Sequence, residues 1–201
     1  MKKTLSFVAL VLVAALSVAG CGSSSNSASS STSPTSASST NSTNFNDADV
    51  TFAQSMIPHH EQAVEMAKLA QKNASTTEVK QLADKIAGAQ GPEISTMTGW
   101  LKDWGKKVPS GSMSGMSGMD HSGSDMPGMM SDADMKKLEA ASGPAFDQMF
   151  LTMMVSHHSG AIEMAKTEQK DGKNTDAVAL AKKIEDDQTA QIAVMNKLLK
   201  S

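Results

Sequence analysis

From Phe52 onward, apolar side chains return every three or four residues. Phe52, Met56, Ala63, Met66, Ala67 and Ala70 share one face of a helix. After a break at residues 73–77, Leu82, Ile86, Gln90, Glu93 and Met97 lay out a second helical face. The same pattern then repeats. Residues 49–101 align without a gap with residues 147–199 at an offset of 98, with 21 identities in 53 positions. Asp171-Gly172-Lys173-Asn174 breaks the second copy where residues 73–77 break the first. No stretch shows the sustained alternation of a strand. The pattern predicts an all-α fold in which two duplicated αα-hairpins, neither able to bury its stripe alone, pack as a four-helix bundle. A short helix is expected over 132–141. Pro58 and Gly91-Pro92 fall inside predicted helices and mark a kink or a helix start.

The chain before the repeat has a different character. Lys2 and Lys3 precede an apolar run over 5–16, too short to span a bilayer core of ~30 Å comfortably. The run closes on Val18-Ala19-Gly20-Cys21, which resembles the lipobox of bacterial lipoproteins. That resemblance implies removal of 1–20 as a signal peptide and acylation of Cys21. Cys21 is the single cysteine, so a disulfide framework is excluded. Residues 22–44 carry 16 Ser/Thr in 23 positions and no charge, so 21–45 reads as a disordered tether. The folded part is then 46–201: a hairpin over 46–106, a Met/Gly-rich linker over 107–131, and a short helix with the second hairpin over 132–201. An exported protein, anchored by lipid on the outer face or periplasmic side of a bacterial cell membrane, is expected. With 18 Lys+Arg against 21 Asp+Glu and no basic patch, nucleic-acid binding is not.

Two histidine doublets change the picture. At ~100° per residue, His59 and His60 lie within about 80° of Phe52, in or beside the apolar stripe. Glu61 and Glu65 point the other way. His157 and His158 repeat the arrangement. A buried imidazole needs partners for its N–H and its lone pair. Two readings compete. The doublets are core histidines hydrogen-bonded to Gln90 and Gln188, or they bind a metal with Gln90 and Gln188 supporting them from behind. Di-iron carboxylate bundles place Glu-x-x-His on two helices. The same spacing here reads Met56-x-x-His59 and Met154-x-x-His157. A thioether with imidazole suits copper, Cu(I) above all, better than iron or manganese. Met66, Met97, Met164 and Met195 lie on the same stripes, as further ligands or as flexible gap-fillers.

The linker carries the clearest chemical signal. Seven of the chain's 16 Met fall in the 23 positions from 113 to 135. Met113, Met116, Met119, His121, Met126, Met129 and Met130 stand among Gly, Ser and Pro, which preclude a regular helix. Filling a core cannot explain them. A thioether used for itself, as a soft ligand durable where thiolates oxidise, can. Their spacing resembles the Met-rich motifs of bacterial copper-handling proteins. Ligation by the doublets is expected to weaken as pH falls through the histidine range near ~6.5.

Phe150-Leu151-x-x-Met154-Val155-x-His157-His158-x-Gly160-Ala161-Ile162-Glu163-Met164-Ala165 resembles the hallmark of the bacterial family called domain of unknown function 305. Residues 56–67 echo it, and Glu93-Ile94, Met97, Trp100-Leu101 and Trp104-Gly105 also fit. The resemblance implies a ferritin-like bundle, generally exported, with copper binding and resistance in some members. The reading that follows is a non-enzymatic, membrane-anchored Cu(I) buffer, chaperone or resistance factor, with copper ions and an envelope copper-transfer protein as partners. Two other classes stay open. One is a ferritin-like metal oxidase, for which Glu93 and Glu139 are the plausible inward carboxylates. The other is a metal-independent interaction lipoprotein.

Overall fold

A computed structural model describes residues 44–109 and 126–201. Cys21, Met113, Met116, Met119 and His121 lie outside the described residues. Five helices follow one another: α1 (Asp47–Asn73), α2 (Thr77–Asp103), α3 (Asp132–Ala140), α4 (Gly143–Asp171) and α5 (Thr175–Leu198). Among the described residues there is no strand, and an isolated bridge joins Ala74 to Gly143. None of these helices is long and apolar enough to cross a membrane.

Four of the five helices begin where a side chain satisfies their first amides; α4 instead opens with Pro144 in its first turn. Asn46 accepts from Ala48 and Asp49 and forms a capping box with Asp49, while Thr76, Ser131 and Asn174 cap α2, α3 and α5. Pro58 and Pro92 both lie inside continuous helices, so neither starts one. α1 packs along α2, α4 along α5, and the hairpins dock chiefly through α1 against α4, with α3 laid over both.

The apolar stripes do not merge into one core. One cluster joins Ala63, Met66, Leu82, Ile86, Phe146, Phe150, Met154 and Met195. The other joins Phe52, Met56, Ile57, Met97, Leu101, Ala161, Ala165 and Ile184. Burial of each large side chain contributes about 1.5–3 kcal/mol. Along α1 and α4, the histidine doublets fall between the two clusters.

The hairpins are tied reciprocally at their turns. Asp49 of α1 accepts the amides of Lys173 (3.0 Å) and Asn174 (2.8 Å) in the α4–α5 turn. Its matching residue, Asp147 of α4, accepts the Ser75 amide (2.9 Å), the Ser75 hydroxyl (2.6 Å) and the Thr76 amide (3.0 Å) in the α1–α2 turn. Beside Asp49 lies buried Glu168, whose carboxyl burial and the Asp49 charge push up to about 9. Its counterpart in the first copy is Ala70.

Candidate metal centre

α1 and α4 run antiparallel, which brings the two doublets to the same height. His59 and His157 meet across the α1–α4 seam, with ring centroids 3.8 Å apart and planes tilted by 43°. All four imidazoles are fully buried. His59 Nε2 stands 3.0 Å from the Pro127 carbonyl, His60 Nε2 2.9 Å from Glu93 Oε2, and His158 Nε2 2.6 Å from Gln191 Oε1. Those oxygens can only accept, so each Nε2 carries the proton and each Nδ1 presents its lone pair. The Nδ1 atoms of His59, His60, His157 and His158 have no hydrogen-bond partner, nor does Nε2 of His157. The carboxamides of Gln90 and Gln188 are likewise buried and unpartnered. An unsatisfied buried polar group costs about 1–3 kcal/mol, so such a layer is expensive unless a ligand completes it.

The electrostatics favour the neutral form at three of the rings. Burial, reinforced by the neighbouring imidazoles, lowers His59 to about 3 and takes His157 well below its ordinary value. Burial lowers His158 to about 4, against its hydrogen bond with Gln191. Neutral imidazole is the form that binds metals. The competition with protons expected near pH 6.5 is therefore displaced to more acid conditions at these three rings. Burial pushes the Glu93 carboxyl up, but hydrogen bonds and charge from His60 and Lys183 outweigh it and hold it below the usual range.

Donation of the far N–H to an oxygen, with the other nitrogen left free, is the arrangement that orients metal-binding histidines. Among the described residues, no three His, Cys, Asp or Glu side chains form a group that could by itself hold a metal ion. The donors at hand are imidazole and thioether. Met56 and Met154 lie one helical turn before the doublets, each fully buried, in opposite clusters. Met97 and Met195 are buried one turn beyond Glu93 and Gln191, again in opposite clusters. Met66 sits in an apolar cluster about two turns along α1, roughly 10 Å from the doublet at 1.5 Å per residue, and Met164 is half-buried at the matching place. That donor set fits a soft ion better than a hard one.

The described end of the linker crosses this layer. His59 bonds Pro127, and Gln62 grips Met130 twice: its Nε2 donates to the carbonyl (2.9 Å) and its Oε1 accepts the amide (2.8 Å). Gly160 is the position in α4 that matches Gln62. Its bare Cα lets the chain through, since a Cβ there would collide with the Pro127 carbonyl. Gly128 adopts φ +78°, and a Cβ on it would stand 2.6 Å from the Ser156 carbonyl. Met126, Met129 and Met130 are half-buried in this crossing.

Several expectations need correcting. Gln90 and Gln188 are inside the bundle but do not hydrogen-bond the doublets; Glu93 and Gln191 do. Glu139 is exposed on α3 rather than inward. Gln191 lies three residues after Gln188 on the same face, a spacing that could have revealed it. The roles of Gln62 and Gly160 left no comparable signal.

Fold and site together define a duplicated helical bundle with a buried histidine layer. The chain belongs to the family described as Domain of unknown function (DUF305), whose model matches residues 49–199. It resembles the crystal structure of a DUF305 protein from Streptomyces coelicolor at 35% identity and TM-score 0.67, covering 76% of this chain and 92% of that one. A DUF305 fragment from Deinococcus radiodurans matches at 25% identity and TM-score 0.68, over 77% and 97%. CopM in its Cu(II)-bound form matches at 31% identity and TM-score 0.65, over 76% and 95%. CopM is also known in Cu(I)-bound, Ag-bound and apo forms. No curated protein matches the chain.

Proposed function

We propose that this chain is an exported, lipid-anchored copper-binding protein that buffers, carries or confers resistance to copper through Met and His ligands. The observation that carries this reading is the buried layer in which four imidazoles keep unpartnered Nδ1 atoms while three hold their Nε2–H on oxygens. CopM, a relative over most of its length, has been solved with Cu(II), Cu(I) and silver. Thioethers beside imidazoles favour Cu(I). The Met-rich linker would collect the ion, and its end at Met126, Met129 and Met130 runs across the layer that would hold it. Export and anchoring rest on the lipobox-like Val18-Ala19-Gly20-Cys21, and the Streptomyces relative is described as a candidate secreted protein. An envelope copper-transfer protein would receive the cargo. The donor set serves binding, not turnover.

The test is an anaerobic Cu(I) titration of the full chain in detergent against a chromophoric chelator. It is repeated with 112–130 replaced by a Gly/Ser linker, and with His59 and His157 both changed to Phe. The expected result is tight binding that each change reduces in part. If the intact chain fails to compete with the chelator, the copper reading is wrong.

A further inference from the structure

The duplication allows the two halves of the layer to be compared residue by residue, and one difference lies in the acceptor behind the second histidine of each doublet. His60 and His158 occupy matching positions, both fully buried. Each donates Nε2–H to the residue 33 positions later, Glu93 at 2.9 Å and Gln191 at 2.6 Å. The bond is the same, but one acceptor is a carboxylate and the other a neutral carboxamide. Lys183 Nζ lies 3.0 Å from Glu93 Oε1 and 2.6 Å from Asp187 Oδ2. This group of three keeps one net negative charge. The positions matching Lys183 and Asp187 in the first copy are Lys85, which is exposed, and Ala89.

We propose that Glu93 and Gln191 set which copper oxidation state each half prefers, with the half built on His60 favouring Cu(II) and the half built on His158 favouring Cu(I). The inference rests on the copper reading above. A carboxylate behind an imidazole makes its free nitrogen a stronger donor. It also adds a buried negative charge, whose attraction grows with the charge of the bound ion. Cu(II) carries one charge more than Cu(I), so it gains more. A carboxamide orients the ring without that bias. Glu93 and Gln191 act through the histidines and are positioning residues.

The experiment uses the full chain in detergent, with Cu(I) and Cu(II) each titrated against its own chelator and the Cu(II) sites followed by electron paramagnetic resonance. Glu93→Gln is expected to weaken the tighter Cu(II) site by about 10–100-fold, the usual range for such partners, with Cu(I) affinity changing far less. The Cu(II) spectrum should lose its stronger-field component. Lys183→Met, at an exposed side chain, removes the counter-charge without disturbing the core and should raise the Cu(II) preference severalfold. It decides the matter if Glu93→Gln does not fold. Equal changes for both ions, or an unchanged ratio in Lys183→Met, overturn the proposal while leaving copper binding intact. If the unaltered chain binds neither ion, the copper reading falls and this inference falls with it.

Discussion

The two hairpins descend from one pattern, and where they agree differs in kind from where they part. They agree at Asp49 and Asp147, which tie each hairpin to the other's turn, and at the doublets. They part at Gln62 and Gly160, where the linker crosses, and at Ala70 and Glu168. Shared positions hold the bundle together and build the buried layer. Divergent positions break its two-fold character to receive a segment that exists only once.

The layer common to both halves gives the largest expected effect. His59 and His158 have folded pKa values of about 3 and about 4, and His157 is also lowered. In the unfolded chain they titrate near ~6.5. Their stabilisation is complete above that value and is lost as pH falls towards the folded values, because the unfolded chain takes up the protons first. Metal-free protein should lose about 2–3 kcal/mol through each of His59 and His158 between pH 6.5 and 4.5, with His157 adding in the same direction, enough to approach unfolding. Urea midpoints across that range, with and without His157→Phe, measure the loss; a flat profile would refute it.

The reciprocal ties come next. Asp49→Ala strands two turn amides and the capping-box amide of Asn46, and is expected to cost about 3 kcal/mol. Asp147→Ala, at the more exposed partner, should cost less. Comparison of chemical-denaturation midpoints tests whether the two ties are as equivalent as their positions.

Gly160→Ala attacks the divergence itself. The added Cβ must push Pro127 away, at about 1–3 kcal/mol. Met126, Met129 and Met130 should then oxidise several times faster in dilute peroxide, read by peptide mass spectrometry. The matching Gln62→Ala removes two hydrogen bonds, costs about 1–2 kcal/mol, and should expose Met130 alone. Equal protection of all three Met in Gly160→Ala would mean that the crossing does not depend on this glycine.

Glu168 carries an effect of the opposite sign, since its removal should stabilise the bundle. Its folded pKa of about 9 lies above the unfolded value, so its contribution is present below ~4.5 and disappears as pH rises towards 9. Glu168→Gln, which cannot ionise, should raise the melting temperature at pH 8 by about 10 °C and leave it unchanged at pH 4.

Much of this was legible in the sequence, for one reason. A helical stripe states which way a residue faces, and the inward direction of both doublets followed from it. It does not state which atom a long polar side chain reaches on a neighbouring helix. Gln90 and Gln188 face inward as expected, yet the hydrogen bonds go one turn further, to Glu93 and Gln191. Glu139 fell on the wrong side because α3 is a nine-residue helix with a single buried residue, Leu138, so its stripe is too short to fix a face. The crossing of the linker depends on a missing side chain at Gly160 and a carboxamide at Gln62, two residues that share no pattern until the helices that carry them are packed together.

The reciprocal ties carry a consequence for how such a bundle arises. Asp49 reaches the second turn and Asp147 the first, which is the self-complementary contact of an isologous dimer. A single hairpin could meet its own copy through the same two carboxylates and the same paired imidazoles. Joining the copies through the linker makes that encounter intramolecular, which raises the effective concentration of each for the other. Once joined, the copies no longer had to be identical, and one position could hold a glutamine in the first copy and a glycine in the second.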